Sequence, residues 1–171
     1  MSRPSVEQIW EWLDGVPDPE IPVISVVDLG IVRDVEWQGD TLAVKITPTY
    51  SGCPATSVIS FDVEAALRAH GIDKIEIQRQ LSPAWTTDWL TESGREKLRA
   101  FGIAPPIDGT AADGVLAGRI SKLSGEGNLA VACPRCGSTN TEKVSQFGST
   151  PCKASYRCKD CLEPFDYFKC I

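Results

Sequence analysis

Two Cys-x2-Cys pairs near the end of the chain constrain its fold more than any other feature. The first pair is Cys133 and Cys136, the second is Cys158 and Cys161, and 21 residues separate the two pairs. Each such turn points two sulfurs inward from one tight loop, and two turns that face each other form a closed tetrahedral thiolate site. The spacing therefore predicts a four-cysteine metal site that suits Zn(II).

Two other interpretations of these cysteines stay open. Four cysteines in two turns also describe a rubredoxin-type iron site, because spacing does not separate iron from zinc. Disulfides are the other interpretation, and they are disfavoured. The chain has seven cysteines, an odd number, so complete pairing would leave one cysteine unpaired. The first residues also run directly into a charged helical pattern rather than a signal peptide, so we expect a cytoplasmic, reducing location in which thiols persist.

The charge distribution disfavours nucleic acid as a partner. The chain of 171 residues has a net charge of −6, and its segment 131–171 has six Lys and Arg against four Asp and Glu, which leaves −8 for the rest. Four thiolates around one Zn(II) bring that segment near neutrality, whereas nucleic-acid-binding modules are usually clearly basic. The sequence has no run of 18 apolar residues, so it predicts no membrane span and no membrane partner.

The first hundred residues have the pattern of a small α+β domain. Ser5 and Gln8 occupy capping-box positions at the start of a helix that Gly15 ends. Apolar periodicity then predicts the order helix, β-hairpin, helix, strand, helix, at about residues 5–15, 31–46, 54–70, 75–81 and 91–101. Five glycines within 107–130 indicate a flexible linker, so the predicted domains are 1–106 and 131–171.

Cys53 is a second candidate for sulfur chemistry. Pro54 suits the first position of a helix, which would place Cys53 at the N-cap, where unpaired N–H groups and the helix dipole favour a thiolate. The alternative is a small buried hydrophobic residue. The only histidine, His70, lies 17 positions further on, roughly 25 Å at 1.5 Å per helical residue, which excludes a cysteine–histidine dyad within one chain. Metal or cluster ligation, mixed-disulfide chemistry and contact with a client protein remain.

Carboxylates and tryptophans around this domain have two interpretations each. Asp18, Glu20 and Asp28 suit metal binding or the shaping of turns. Trp85 and Trp89 suit a docking surface or the core, and we favour the core.

Several motifs resemble a known family. Asp18-Pro19-Glu20-Ile21-Pro22, Asp28-Leu29-Gly30 and Cys53-Pro54 are similar to motifs of the iron–sulfur cluster assembly family that includes SufT-type proteins, over residues 5–104. The whole arrangement is similar to the PaaD (PaaJ) family of the bacterial phenylacetyl-CoA epoxidase system, which acts in phenylacetate catabolism, a degradation of aromatic compounds. The segments that carry this likeness are 47–54, 85–90, 102–106 and 147–169.

The resemblance implies a small two-layer iron–sulfur-assembly-like α+β domain followed by a zinc ribbon. It also implies an accessory protein that is not itself catalytic. On that basis Cys53, with the acidic motif of Asp18 and Glu20, would hold or hand over iron or a transient iron–sulfur cluster, on one chain or across a homodimer. The client would be the reductase or the di-iron oxygenase subunit of the system, and the ribbon would dock it.

Three further expectations remain open beside this one. The protein could be a structural subunit of the oxygenase complex, or a rubredoxin-like electron carrier. Cys152, six residues before Cys158, is a candidate auxiliary ligand at the four-cysteine site or at a transient cluster.

Overall fold

The computed structural model describes residues 3–107 and 130–169. The chain divides into two compact units, Met1–Trp85 with Trp89–Gly94, and Thr86–Asp88 with Arg95–Ile171. Helices and two small sheets occur together, which confirms the predicted α+β class. The predicted linker 107–130 lies outside the described residues except for its two ends, so the predicted domain bounds stay a prediction.

The first helix of the first unit, α1 (Val6–Asp14), has the predicted ends. The hydroxyl of Ser5 accepts a hydrogen bond from the N–H of Gln8, and the side chain of Gln8 accepts one from the N–H of Ser5. Ile9 and Leu13, four residues apart, are both fully buried. The capping box and the apolar stripe therefore set the start and the inner face of the helix, as the sequence predicted.

A three-stranded sheet forms the other layer of the first unit. The hairpin strands β1 (Val32–Gln38) and β2 (Thr41–Ile46) are antiparallel, and β3 (Ile75–Arg79) pairs with β2 in parallel, so β2 is central. The helix α2 (Thr56–Ala69) connects β2 to β3. It contacts both α1 and β3, and its buried face consists of Thr56, Ile59, Val63 and Leu67.

The Asp28-Leu29-Gly30 motif anchors the tryptophan segment of the first unit. The indole N–H of Trp85 donates to the carbonyl of Leu29 at 2.8 Å, and the Thr91 hydroxyl donates to Oδ1 of the buried Asp28 at 2.6 Å. Trp85 is only 4% exposed, which supports the core interpretation for this tryptophan. The motif is thus accounted for by packing and hydrogen bonding within the fold.

The second unit contains a four-stranded sheet. The helix α3 (Glu92–Phe101), whose first three residues belong to the first unit, leads into β4 (Ile103–Ala104). The strands β5 (Thr141–Ser145), β6 (Lys153–Cys158) and β7 (Pro164–Phe168) follow, in the spatial order β4-β7-β6-β5. The sequence did not predict β4, which pairs in parallel with β7, because a strand of two residues has no periodicity to detect. The core of this sheet includes Val131, Tyr156 and Tyr167.

None of the helices within the described ranges is both long and apolar enough to cross a membrane.

Gly30 is a position where the fold of the first unit requires glycine. Its φ is +67°, and an added Cβ would lie 2.5 Å from the carbonyl oxygen of Trp89. We expect Gly30→Ala to lower the free energy of unfolding by about 3 kcal/mol, from left-handed strain and forced displacement together. The control is Gly39→Ala, where φ is +60° and no atom lies within 4 Å of the added Cβ, so a loss of about 1 kcal/mol is expected. The free energy of unfolding of each variant is measured by urea denaturation, with tryptophan fluorescence as the signal. Equal losses of stability in the two variants would contradict this account of the motif.

Candidate functional site

The four predicted metal ligands lie together in the second unit. The sulfurs of Cys133, Cys136, Cys158 and Cys161 all lie within 4.8 Å of one another. The Cys133 and Cys161 sulfurs are 3.7 Å apart, and those of Cys136 and Cys158 are 3.6 Å apart. Each of these two pairs joins one Cys-x2-Cys turn to the other, so the two turns face each other as the sequence predicted.

The distances between sulfurs fit a tetrahedral metal site. Sulfurs at about 2.3 Å from a central zinc ion would be about 3.8 Å from one another. A disulfide needs about 2.05 Å, and none of the six cysteines within the described residues forms one. This four-cysteine site can therefore hold one metal ion, and the disulfide interpretation has no support among the described residues.

The two turns have the same backbone path, and we call them the first knuckle (residues 133–138) and the second knuckle (158–163). The N–H of each leading cysteine donates across its own turn at 2.9 Å, from Cys133 to the carbonyl of Ser138 and from Cys158 to that of Glu163. The residue after each second cysteine has a left-handed φ, which is +76° at Gly137 and +65° at Leu162. Two similar loops from distant parts of the sequence thus supply two sulfurs each.

The electrostatics of the site favour a cation. Backbone N–H groups of Cys161 and Asp160 donate to the Cys158 sulfur and, against the effect of burial, lower its pKa to about 7. The pKa of Cys161 is lowered by a backbone hydrogen bond from Glu163, but burial and the neighbouring sulfurs outweigh that effect and raise it to about 12. Since thiolates are the forms that bind metals, a divalent cation at the centre would compensate the charge that opposes ionisation of all four thiols.

Cys152 is not brought to the four-cysteine site. It lies just before β6, at the end of that strand opposite to Cys158, and six residues of extended chain span about 20 Å. Its sulfur lies 3.1 Å from the hydroxyl oxygen of Thr150, and the residue is only 5% exposed. The six-residue separation indicated proximity only because the sequence did not reveal an extended strand between the two cysteines.

Cys53 lies in the turn that leads into α2, but it is not the N-cap as predicted. The helix begins at Thr56 with Ala55 at its N-cap. The N–H and the hydroxyl of Thr56 both donate to the Cys53 carbonyl, at 3.2 and 2.9 Å, so an extra turn separates the thiol from the helix. This displacement removes the predicted N-cap basis for a thiolate. The side chain is nevertheless partly exposed, so it is not sealed in apolar packing.

The acidic motif shapes a turn near the start of the chain. Asp18 is 6% exposed, and its Oδ1 accepts hydrogen bonds from the N–H groups of Glu20 and Ile21, at 2.9 and 2.8 Å. Among the described residues, the four-cysteine site is the one group of three or more candidate metal ligands. One chain therefore does not assemble Cys53, Asp18 and Glu20 into a second metal site, and their predicted role in iron transfer stays a prediction.

Sequence reasoning missed three polar residues around the four-cysteine site. Ser138 and Asn140 follow the first knuckle, and Asp160 lies within the second. The Asp160 carboxylate accepts hydrogen bonds from both of the others, at 2.5 Å from Ser138 and 2.6 Å from Asn140. Each residue is common in turns, so the sequence carried no signal that they would meet.

Comparisons with known proteins agree with the two-part organisation. The family model described as "PaaD zinc beta ribbon domain" matches residues 119–169, and the one described as "Iron-sulfur cluster assembly protein" matches residues 6–78. The chain is also similar to a solved structure from Bacillus anthracis, that of a domain of unknown function called DUF59. The two sequences are 26% identical and the TM-score is 0.50, and the match covers 54% of this chain and 89% of that chain. These likenesses define the class of protein, an iron–sulfur-assembly-type domain combined with a zinc ribbon.

Two relatives place the chain more closely. A protein of Escherichia coli K12, named as a candidate 1,2-phenylacetyl-CoA epoxidase subunit, is 47% identical over 171 residues, with 100% of this chain and 96% of the relative covered. An uncharacterised protein of Methanocaldococcus jannaschii is 32% identical over 73 residues, with 42% of this chain and 76% of the relative covered. The chain belongs to the PaaD family.

Leu162 is strained where the equivalent residue of the first knuckle is glycine. Its side chain is 69% exposed, so it contributes little to the core, while the left-handed backbone costs a non-glycine residue about 1–2 kcal/mol. We expect Leu162→Gly to raise the free energy of unfolding of the metal-loaded protein by up to about 1 kcal/mol, after the entropy lost by glycine is subtracted.

The matched change is Gly137→Ala in the first knuckle. The added Cβ has no atom within 4 Å, so only backbone strain should lower stability, by about 1 kcal/mol. Thermal unfolding of the two variants should shift in opposite directions. Destabilisation by both substitutions would show that the knuckles are not equivalent.

Proposed function

We propose that this protein is an accessory, non-catalytic factor of a phenylacetyl-CoA epoxidase system. In this proposal Cys53 holds iron or an iron–sulfur cluster and passes it to a client subunit, while the ribbon docks that client. The observation that carries it is the presence, in one chain, of a partly exposed cysteine in an iron–sulfur-assembly-type domain and a separate closed four-sulfur site. The relative named as a candidate epoxidase subunit supports the choice of system.

Cys53 suits transfer better than storage. Thiolates bind soft and borderline metals, and a partly exposed thiol can be reached by an incoming ligand. Because Cys53 belongs to no group of three or more candidate ligands among the described residues, further ligands would come from a second copy of the chain or from the client. The client would be the reductase or the di-iron oxygenase subunit. Asp18 and Glu20 remain candidate contacts for iron, and Oδ1 of Asp18 also accepts the hydrogen bonds of its turn.

The four-cysteine site suits a resident zinc ion. It supplies four sulfurs and leaves no position for a substrate, which is the pattern of structural zinc sites. Bound zinc would fix the two knuckles and stabilise the ribbon. The thiols, and the exchange of ligands at Cys53, also suit the reducing cytoplasm.

Metal analysis tests this assignment of the two sulfur sites. Protein purified without oxygen should be colourless with one zinc per chain, Cys133→Ser should lose that zinc, and Cys53→Ser should retain it. Elemental analysis measures the zinc content of each variant, and the visible absorption spectrum shows whether iron is bound. Iron in the four-cysteine site, with a thiolate–iron charge-transfer spectrum, would overturn the zinc assignment in favour of the electron-carrier alternative.

Client activation tests the role of Cys53. Iron and sulfide reconstitution without oxygen should give iron–sulfur absorption in the wild type, and transfer should activate an apo-client subunit. We expect Cys53→Ser to lose most of the iron–sulfur absorption and most of the client activation, because the substitution removes the thiol that would bind the iron. Cys152→Ala, which changes a buried cysteine of the second unit, is the control and should behave as wild type. Full client activation by Cys53→Ser would exclude the transfer role.

A second candidate function is a structural subunit of the oxygenase complex. The name of the Escherichia coli relative, as a candidate epoxidase subunit, favours it. Purification at fixed stoichiometry with the oxygenase subunits, together with normal oxygenase metal content in cells that carry Cys53→Ser, would decide for this candidate.

A further inference from the structure

We propose that Ser138 and Asp160 form a bridge that holds the two knuckles together and slows release of the metal ion from the four-cysteine site. The knuckles lie in segments that are far apart in the sequence. Bonds between them therefore decide how readily the site opens. This inference rests on the ribbon binding a metal ion and is independent of any transfer by Cys53.

The first step of the argument is the side-chain contact across the site. The hydroxyl of Ser138 donates to Oδ2 of Asp160 at 2.5 Å, and the side-chain amide of Asn140 donates to Oδ1 at 2.6 Å. Both carboxylate oxygens are thus engaged by residues that follow the first knuckle. Hydrogen bonds to an ionised carboxylate are stronger than those between neutral groups, and these two hold Asp160 in one orientation.

The second step is that the bridging residues also contact ligand sulfurs. The backbone N–H of Ser138 donates to the sulfur of Cys136, and the backbone N–H of Asp160 donates to the sulfur of Cys158. Those two sulfurs are 3.6 Å apart. The contacts therefore form a closed ring, from one sulfur through Ser138 and Asp160 to the other sulfur.

The third step is the effect on metal release. A metal ion leaves a closed four-sulfur site only when thiolates detach and the knuckles separate. The ring opposes that separation, since moving Cys158 away from Cys136 must break the Ser138–Asp160 hydrogen bond or the N–H to sulfur bonds. Loss of groups that orient metal ligands typically weakens metal binding 10–100-fold. Because Asp160 is exposed to solvent, we expect an effect of about tenfold, at the lower end of that range.

A backbone contact keeps the knuckles close in the variants. The N–H of Lys159 donates to the carbonyl of Asn140 at 2.9 Å, and no side-chain substitution at Asp160 removes this bond. The ribbon should therefore fold in the variants when zinc is supplied.

The experiment measures zinc release from the full-length protein to the chelator 4-(2-pyridylazo)resorcinol, with absorbance as the readout. We expect Asp160→Ala and Ser138→Ala each to release zinc about tenfold faster than wild type. The double variant should be no faster than the faster single variant, because both changes break the same bridge. Asp160→Asn keeps an acceptor for Ser138 and should fall between wild type and Asp160→Ala.

Glu163→Gln is the matched control for charge. It removes one exposed carboxylate from the second knuckle, while the backbone carbonyl of Glu163 still accepts the hydrogen bond from Cys158. Release at the wild-type rate is expected. Equal release rates for Asp160→Ala and Glu163→Gln would overturn the bridge, as would effects of Ser138→Ala and Asp160→Ala that multiply in the double variant. If Asp160→Ala retains no zinc at all while Glu163→Gln retains one per chain, the bridge is supported in its strongest form.

Discussion

The meeting of four sulfurs from two knuckles is the constraint on which the second unit depends. A segment of about forty residues has few apolar side chains to bury, and domains of that size usually need a metal or disulfides to remain folded. Zinc binding in zinc-finger peptides supplies about 10–16 kcal/mol, which is comparable to the whole stability of a larger domain. The strands of the ribbon attach to this point, since β6 ends at Cys158 and the second knuckle leads into β7.

The two sulfur sites of the chain differ in their sets of ligands. The four-cysteine site takes all four ligands from the same ribbon, although Cys136 and Cys161 are exposed. Cys53 lies in a turn of another unit, is partly exposed and lacks a set of neighbouring ligands among the described residues. A closed site favours permanent binding, whereas a single accessible thiol favours exchange with a partner. This difference is the physical basis for assigning structure to one site and transfer to the other.

Features with local causes were predictable from the sequence. The capping box of Ser5 and Gln8, the β-hairpin and the two Cys-x2-Cys turns are all encoded within a few residues, and the structure contains each of them. The position of Cys53 was misjudged by two residues, because Pro54 is equally suited to a turn and to the start of a helix. In the structure Pro54 lies in the turn that precedes Thr56, and the helix begins only after that turn.

Features with distant causes were not predictable. Cys152 is close to Cys158 in sequence, yet an extended strand lies between them. The pairing of Ile103 with Asp166 and the contact of Ser138 with Asp160 join residues that only the fold brings together. The tryptophan segment shows both cases, since its composition indicated burial but not that Leu29 would accept the indole hydrogen bond.

The most direct test of the account is differential alkylation of the native, metal-loaded protein by iodoacetamide, with each cysteine followed by mass spectrometry. The account predicts that Cys53 is modified first, while the four cysteines of the ribbon site are protected until a chelator removes the metal ion. Modification of the ribbon cysteines at the rate of Cys53 before chelation would contradict it. So would protection of Cys53 in the isolated chain, since no thiol would then be available for transfer.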